Sequence, residues 1–537
     1  MATRTHPGGR AGALIALLIT LVCAGWPLGC VLWSLFAGIF SGDISRTKQF
    51  SGLEPALTYI PAWRLLGSTI TWGVGIGIGA TLLAWPAAWL IRLRGWRILP
   101  LLLVPLMLPN YLPYSGYSTI RAAGTPLGNA LASLVDTGWP DAPALAGRLL
   151  AGVGLALWAW PISAVVLGAT FRRLDEQVLE ALRLDAPPLR RLLQVVRISG
   201  FGIMSSIGLV ALLMLGSAVP LHLAQVPTYA VKVWLDLTLS PGDWRIWLGA
   251  WPLMVLATLG AVVTVSAIAR QFGRPDEAQL PPKKPVTGTR IASTIVWLLA
   301  VAVPLGLFIA TVHGFKPYVN FWRTTSQPVL TSAGVAVGVG LVGVALAAAF
   351  WQGLSASGAG RLTPTLRLCL LLLMVTGLLP GVLTGAAVTT AITITPRAYD
   401  LGDSPLALVI AHTARFGFIA ALLGCWLAAI EPRQERDLRA LDAGLGLKSW
   451  LAACLPLQGG ALAGIGLALA SLSFHEIEAA VVVQPPGSPS LAQVMLNHLH
   501  QLRMQDVAAA AVSVVVMALL IALASAWAAG HTLRRTP

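Results

Sequence analysis

The sequence predicts an all-α integral membrane protein of about twelve transmembrane helices, laid out as two tandem parallel six-helix repeats. Three observations predict it. Of the 537 residues, 56% are apolar and only 11% charged, with a mean hydropathy of +0.77; soluble domains carry about 25% charged residues. Apolar runs of about 20 residues recur along the whole chain, long enough to cross a hydrocarbon core about 30 Å thick. Two polar loops, 257 positions apart, repeat one pattern of residues.

Taken in order, the apolar segments fall at 12–38, 65–90, 98–115, 148–170, 200–219 and 246–269, then at 291–312, 329–352, 369–391, 405–429, 458–477 and 507–529. Lipid offers backbone groups no hydrogen-bond partner, so each must close its bonds internally as a helix. The first run extends from Ala11 to about Phe40, too long for the apolar core of a cleaved signal, and reads as an uncleaved first span. The stretch 271–289 is polar with clustered prolines, which suits a cytoplasmic linker between a first half, 1–270, and a second, 290–537.

The net charge of +15 could suggest a nucleic-acid partner. Its distribution excludes that reading. With the N-terminus in the cytoplasm, about 24 of the 36 Lys and Arg fall on the cytoplasmic side and about 11 outside, the bias that sets membrane orientation. Both termini are therefore expected in the cytoplasm, and the chain's surroundings are membrane lipid. The five cysteines form no CxxC pair and sit mostly in apolar segments, as small hydrophobes do. His498 and His500 stand two apart with no third ligand nearby, so no metal site is expected. Gly75 with Gly79, and Gly334 with Gly338, have the spacing that lets helices pack closely.

The repeat is visible residue by residue. The loop after the fourth segment reads Glu180-Ala181-Leu182-Arg183-Leu184-Asp185-Ala186 and closes with Val196-Arg197-Ile198-Ser199. The loop after the tenth reads Asp437-Leu438-Arg439-Ala440-Leu441-Asp442-Ala443 and closes with Ala453-Cys454-Leu455-Pro456. Gly73-Val74-Gly75 in the second segment corresponds to Gly338-Val339-Gly340 in the eighth. An even number of spans per half makes the repeat parallel, so both loops face the same side.

These loops resemble the cytoplasmic "EAA" loop of binding-protein-dependent ABC-importer permeases, whose pattern is Glu-Ala-Ala, three residues, Gly, nine residues, then Ile-x-Leu-Pro. Glu180-Ala181 stand in place, Ala186 replaces the Gly, and the closing Pro is lost at Ser199. In the second copy Asp437 replaces Glu, Ala443 or Gly444 fills the Gly position, and Leu455-Pro456 is intact. The resemblance implies a fold like that of type I ABC importers and an ATPase-coupling role for Glu180, Ala181, Asp185, Ala186, Asp437, Asp442, Ala443, Gly444, Leu455 and Pro456. It also implies that each loop is a short helix-turn-helix seated on an ATPase. An acid at a helix start would favour the positive end of the dipole, and a small residue at the Ala/Gly position would permit a sharp turn.

No ATPase is encoded: Gly444-Leu445-Gly446-Leu447-Lys448-Ser449 lacks the phosphate-loop spacing and follows no strand. No catalytic residue is expected in this chain, which is read as a transport subunit and not an enzyme. ATP and Mg would be bound by a separate ABC ATPase, in two copies, and solute would arrive from a periplasmic binding protein at the inner membrane. The fused layout, and the segment Phe474–Val483 with Pro485-Pro486-Gly487, most resemble the iron(III) permeases; thiamine and aminoethylphosphonate remain alternatives.

Arg415 lies near the middle of the tenth segment, where an unpaired charge would cost several kcal/mol. Glu476 at the outer end of the eleventh is its expected partner, with His475 beside it. The three either line the translocation path or form a structural pair. A twelve-helix secondary transporter would also use parallel repeats, with functional charges inside its helices and no paired loops. The loop 91–97 lacks the Asp-Arg-x-Gly-Arg signature of the major facilitator family, and no residue cluster suggests a membrane-embedded enzyme.

Overall fold

The computed structural model describes residues 7–40, 60–240, 242–271, 287–355, 362–431, 447–487, 489–500 and 504–533. Among them every regular element is helical and no strand occurs. The first half runs α1 Pro7–Thr20, α2 Trp26–Phe40, α3 Ala62–Arg94, α4 Leu99–Leu102, α5 Leu112–Ser118, α6 Pro126–Asp136 and α7 Ala142–Arg172. It continues with α8 Glu176–Asp185, α9 Pro188–Ile198, α10 Gly200–Met214, α11 Val219–Leu223, α12 Tyr229–Leu239, α13 Arg245–Gly249 and α14 Trp251–Gln271. The second half runs α15 Thr287–Ala300, α16 Ala302–Thr311, α17 Lys316–Ser355, α18 Pro364–Leu378, α19 Gly381–Ile394 and α20 Leu406–Ile430. It closes with α21 Leu447–Phe474, α22 Glu478–Val483, α23 Leu491–His500 and α24 Met504–Leu533.

Eight described helices are long and apolar enough to cross a membrane, and up to ten do so if each sharply bent pair is one span. Large apolar side chains such as Leu32, Leu82, Phe201 and Leu330 lie exposed on the bundle's flanks, as lipid-facing residues must. This is a multi-pass helical membrane protein.

Eight of the twelve expected segments form long helices. The other four are interrupted or cut short, and they hold matching places: the third and fifth of each half. Segment 98–115 splits at Leu103–Tyr111, and segment 200–219 stops at Met214 before α11. Segment 369–391 folds back by 114° between α18 and α19, and segment 458–477 ends at Phe474 before α22. Prolines mark most of these breaks. Pro105, Pro109, Pro113, Pro220 and Pro380 each remove a backbone donor and disfavour helix at the preceding residue. The linker expected over 271–289 falls mostly outside the described residues, and its last three positions already open α15.

The halves are cross-packed. α1 lies against α17 of the other half, and α15 lies against α3. Gly12 lets α1 approach the Ala349 carbonyl of α17 so closely that a Cβ would come within 2.7 Å of it. Likewise α14 packs on α18, while α24 packs on the stretch Leu99–Met107. Of the glycines the spacing suggested, one of each pair sits at a close helix contact: a Cβ on Gly79 would stand 3.1 Å from Ala156 and one on Gly338 3.1 Å from Val409. A Cβ on Gly77 would stand 2.6 Å from the Ile207 carbonyl and one on Gly340 2.8 Å from that of Gly466, whereas Gly75 and Gly334 face open space.

Candidate functional site

The four breaks meet in the interior. Met107, at the break of the third segment, has its carbonyl bonded by Ser471 Oγ at 2.8 Å, with His475 Nε2 at 3.0 Å. Gly216, at the break of the fifth, packs on the carbonyl of Leu379 at the α18–α19 fold. Breaking a helix strips its ends of intrahelical bonds, so each such end needs polar partners. Supplying them draws polar side chains into the middle of an apolar bundle.

Arg415 of α20 is the centre of this region. Its Nε lies 3.2 Å from Glu476 Oε2 and its Nη2 lies 2.9 Å from Glu478 Oε2. The predicted partner is therefore present, and the sequence reading missed a second carboxylate that is buried more deeply: side-chain exposure is 12% for Arg415, 10% for Glu476 and 4% for Glu478. Glu478 also accepts backbone N–H bonds at Oε1 from Ala218 (2.7 Å) and Val219 (3.2 Å), and at Oε2 from Gly381 (3.1 Å). One carboxylate thus ties together the start of α11, the start of α19 and the guanidinium of α20. The N-terminus of α19 offers it a favourable dipole as well as a donor. Gly381 is needed for this approach, since a Cβ there would stand 2.4 Å from Arg415 Nη1 and 2.7 Å from Glu478 Cβ.

Beside the ion cluster, His412 Nδ1 shares a 2.8 Å hydrogen bond with Ser473 Oγ, while its buried Nε2 has no partner among the described residues. His412, Ser332, Ser473, Glu476 and Ser490 line a cavity of ≈ 10 Å³, which suits one water. His475, expected beside Glu476, is buried and its Nε2 faces the Met107 carbonyl. Glu476 Oε1 in turn accepts from Ala479 N at 3.2 Å, capping α22.

The second candidate surface is the loop after the fourth segment. It folds as α8 and α9, joined at Ala186–Pro187. Asp175 caps α8 by accepting from Gln177 N at 2.9 Å, and Glu176 lies in the first turn. Two expectations need correction here. Glu180 is exposed in mid-helix, because the acids at the helix start are Asp175 and Glu176. Ala186 is in ordinary extended backbone (φ −122°, ψ 133°), and the turn comes from the two prolines that follow it, not from a small residue's freedom. Ala181 and Asp185 are exposed and Ala186 is half-buried. On α9 and the end of α8, Leu184, Leu189, Leu192, Leu193 and Ile198 lie exposed, Leu184 at 86%.

In the second copy Asp437, Asp442, Ala443 and Gly444 lie outside the described residues. Leu455 and Pro456 sit exposed inside the continuous helix α21. The equivalent place in the first copy, Ile198–Ser199, is a 66° bend between α9 and α10. The side chains of His498 and His500 are not among those described.

Fold and site define a class: a multi-pass helical membrane protein with a buried Arg–Glu–Glu cluster where four broken helices meet. Comparison with protein-family models, with curated proteins and with solved structures finds no match for this chain.

Proposed function

We propose that the chain is the permease subunit of an ATP-driven ABC importer. It would be built from two six-span halves in the inner membrane, with both termini in the cytoplasm. The observation that carries this is the α8–α9 hairpin. It is a compact helix-turn-helix whose leucines lie exposed among Asp185, Arg190, Arg191 and Arg197, and an exposed apolar patch rimmed by charge marks a protein-docking surface. Its sequence recurs 257 positions later. Matching breaks in the third and fifth segments of each half, and the exchange of α1 and α15, support the two-half layout.

In this reading two ATPase copies grip the hairpin and its counterpart around Asp437. A periplasmic binding protein delivers the solute, iron(III) first, with thiamine and aminoethylphosphonate as alternatives. ATP and the loaded binding protein each shift the pore's population by binding one of its states better than the other. The test is affinity purification of the chain from its native membranes, followed by reconstitution. An ABC ATPase that co-purifies and drives ATP-dependent uptake in proteoliposomes supports the proposal, and the absence of any nucleotide-binding partner rejects it.

A secondary transporter is the second reading, favoured by one observation: three charged side chains, not one, lie between discontinuous helices. Uptake driven by an ion gradient in the absence of ATP would establish it instead.

A further inference from the structure

The hairpin can act on the pore only through its attachments. α8 packs on α9, α9 packs on α10, and the hairpin joins the bundle at the end of α7 and at the bend before α10. The end of α7 is held by the end of α3 in an unusually dense contact. Phe171 packs against both Trp85 and Trp89, with ring centroids 5.0 Å from each. Arg92, 6% exposed, donates through Nη1 to the carbonyls of Phe171 and Leu174, the latter at 2.9 Å. Arg172 stacks back over Trp96 at 5.9 Å. A cation on the last carbonyls of a helix meets the negative end of its dipole, so Arg92 fixes that end in place as well as bonding it.

The second half has a different chemical solution at the same place. Glu431 follows α20 directly and is 7% exposed. Its Oε2 accepts from Trp351 Nε1 at 3.1 Å and from Ser355 Oγ at 2.9 Å, both near the end of α17. Glu431 stands 257 positions after Leu174, the offset that aligns the two loops. In each half, therefore, the second long helix grips the last residues before the loop: α3 through Arg92 and α17 through Trp351 and Ser355.

We propose that Arg92 and Glu431 are positioning residues for transport, through which displacement of each loop is passed to the long helices α3 and α17. This rests on the permease reading, since it needs a partner that moves the loops. Both long helices reach the interior cluster indirectly. α3 packs on α10, which leads to Ala218 and Val219, and α17 packs on α20, which carries Arg415. A clamp at the loop end and the Glu478 knot at the centre thus sit on the same rigid elements. Loosening the clamp lets the loop move while the pore stays still.

The experiment compares the reconstituted complexes of wild type, Arg92→Met, Arg92→Lys, Glu431→Gln and Trp351→Phe, measuring ATPase binding, ATP hydrolysis and solute uptake per ATP hydrolysed. Arg92→Met and Glu431→Gln are expected to bind the ATPase and hydrolyse ATP as wild type does. Their uptake per ATP should fall about tenfold, the scale of losing one charged hydrogen-bonding group. Arg92→Lys, which keeps a cation but loses the planar fork, and Trp351→Phe, which loses the indole N–H and shrinks the ring but leaves Ser355 on Glu431, should fall between. Wild-type uptake per ATP in all four variants overturns the proposal. So does a proportionate fall of hydrolysis and uptake, which is what a purely structural role would give. Should the two stronger variants not fold, the same ratio in Arg92→Lys and Trp351→Phe decides it. A wild-type chain that binds no ATPase rejects the permease reading first and the proposal with it, an outcome distinct from coupled wild type with unaffected variants.

Discussion

Removing Arg415 while leaving its carboxylates is the most severe single change that the interior suggests. Arg415→Met leaves Glu476 and Glu478 facing each other in a site where the three side chains are 4–12% exposed. Breaking a buried pair by deleting one partner costs about 3–5 kcal/mol. Glu478→Gln is milder. The amide oxygen can still accept from Ala218, Val219 or Gly381, and the loss is that of charged hydrogen bonds, about 1.5–3 kcal/mol. In the double variant Arg415→Met, Glu478→Gln the like-charge contact is gone, so its cost should fall short of the summed single costs by about 1–3 kcal/mol. The assay is SDS-driven unfolding in mixed micelles, followed through the 20 tryptophans, across the full cycle. If the two single costs add to within about 0.5 kcal/mol, Arg415 and Glu478 do not act as a pair and the account of the site is wrong.

Three further outcomes are expected. Gly381→Ala drives a Cβ into Arg415 and Glu478, so it should destabilise the fold by about 1–3 kcal/mol in the same assay and lower uptake. Ser471→Ala removes one donor from the Met107 carbonyl but leaves His475 beside it, costing about 1 kcal/mol, while Ser471→Ala with His475→Phe should cost at least twice that. On the permease reading, charge reversal at Glu180 and Asp437 together should uncouple ATP hydrolysis from uptake in the reconstituted complex, while reversal at Glu180 alone should leave the bundle's unfolding midpoint unchanged. Glu180 is exposed and away from the core, so a stability change there would contradict the placement of α8.

Where the long helices run was legible because apolar length decides membrane crossing, and eight segments needed nothing else. The four breaks were less legible because hydropathy averaged over a window does not register them. The local signals were prolines, above all Pro380-Gly381, a dipeptide that marks a turn even inside an apolar run. Arg415 stood out as a charge amid apolar neighbours, and Glu476 followed as the nearest candidate of opposite sign. Glu478 falls one residue beyond the apolar segment 458–477, so hydropathy alone leaves it outside the bundle. Its signal was a carboxylate opening an apolar run, Glu478-Ala479-Ala480-Val481-Val482-Val483, as at the start of a buried half-helix. Arg92 is one of three basic residues at and just beyond the end of α3. Nothing in the sequence separates it from Arg94 or Arg97, because burial at a helix end depends on where α7 packs.

The crossing of α1 onto α17 has a consequence in time. A ribosome adds about 5–20 residues per second, and α1 leaves it roughly 300 residues before α17 does. For about half a minute at a mid-range rate the first helix sits in the bilayer with Gly12 and its small-residue face uncovered, awaiting a surface not yet made. An Ile or Leu at Gly12 would spoil a contact that cannot form until about two thirds of the chain has been made, and the damage would surface as slow or failed assembly of a chain whose early helices had all inserted normally.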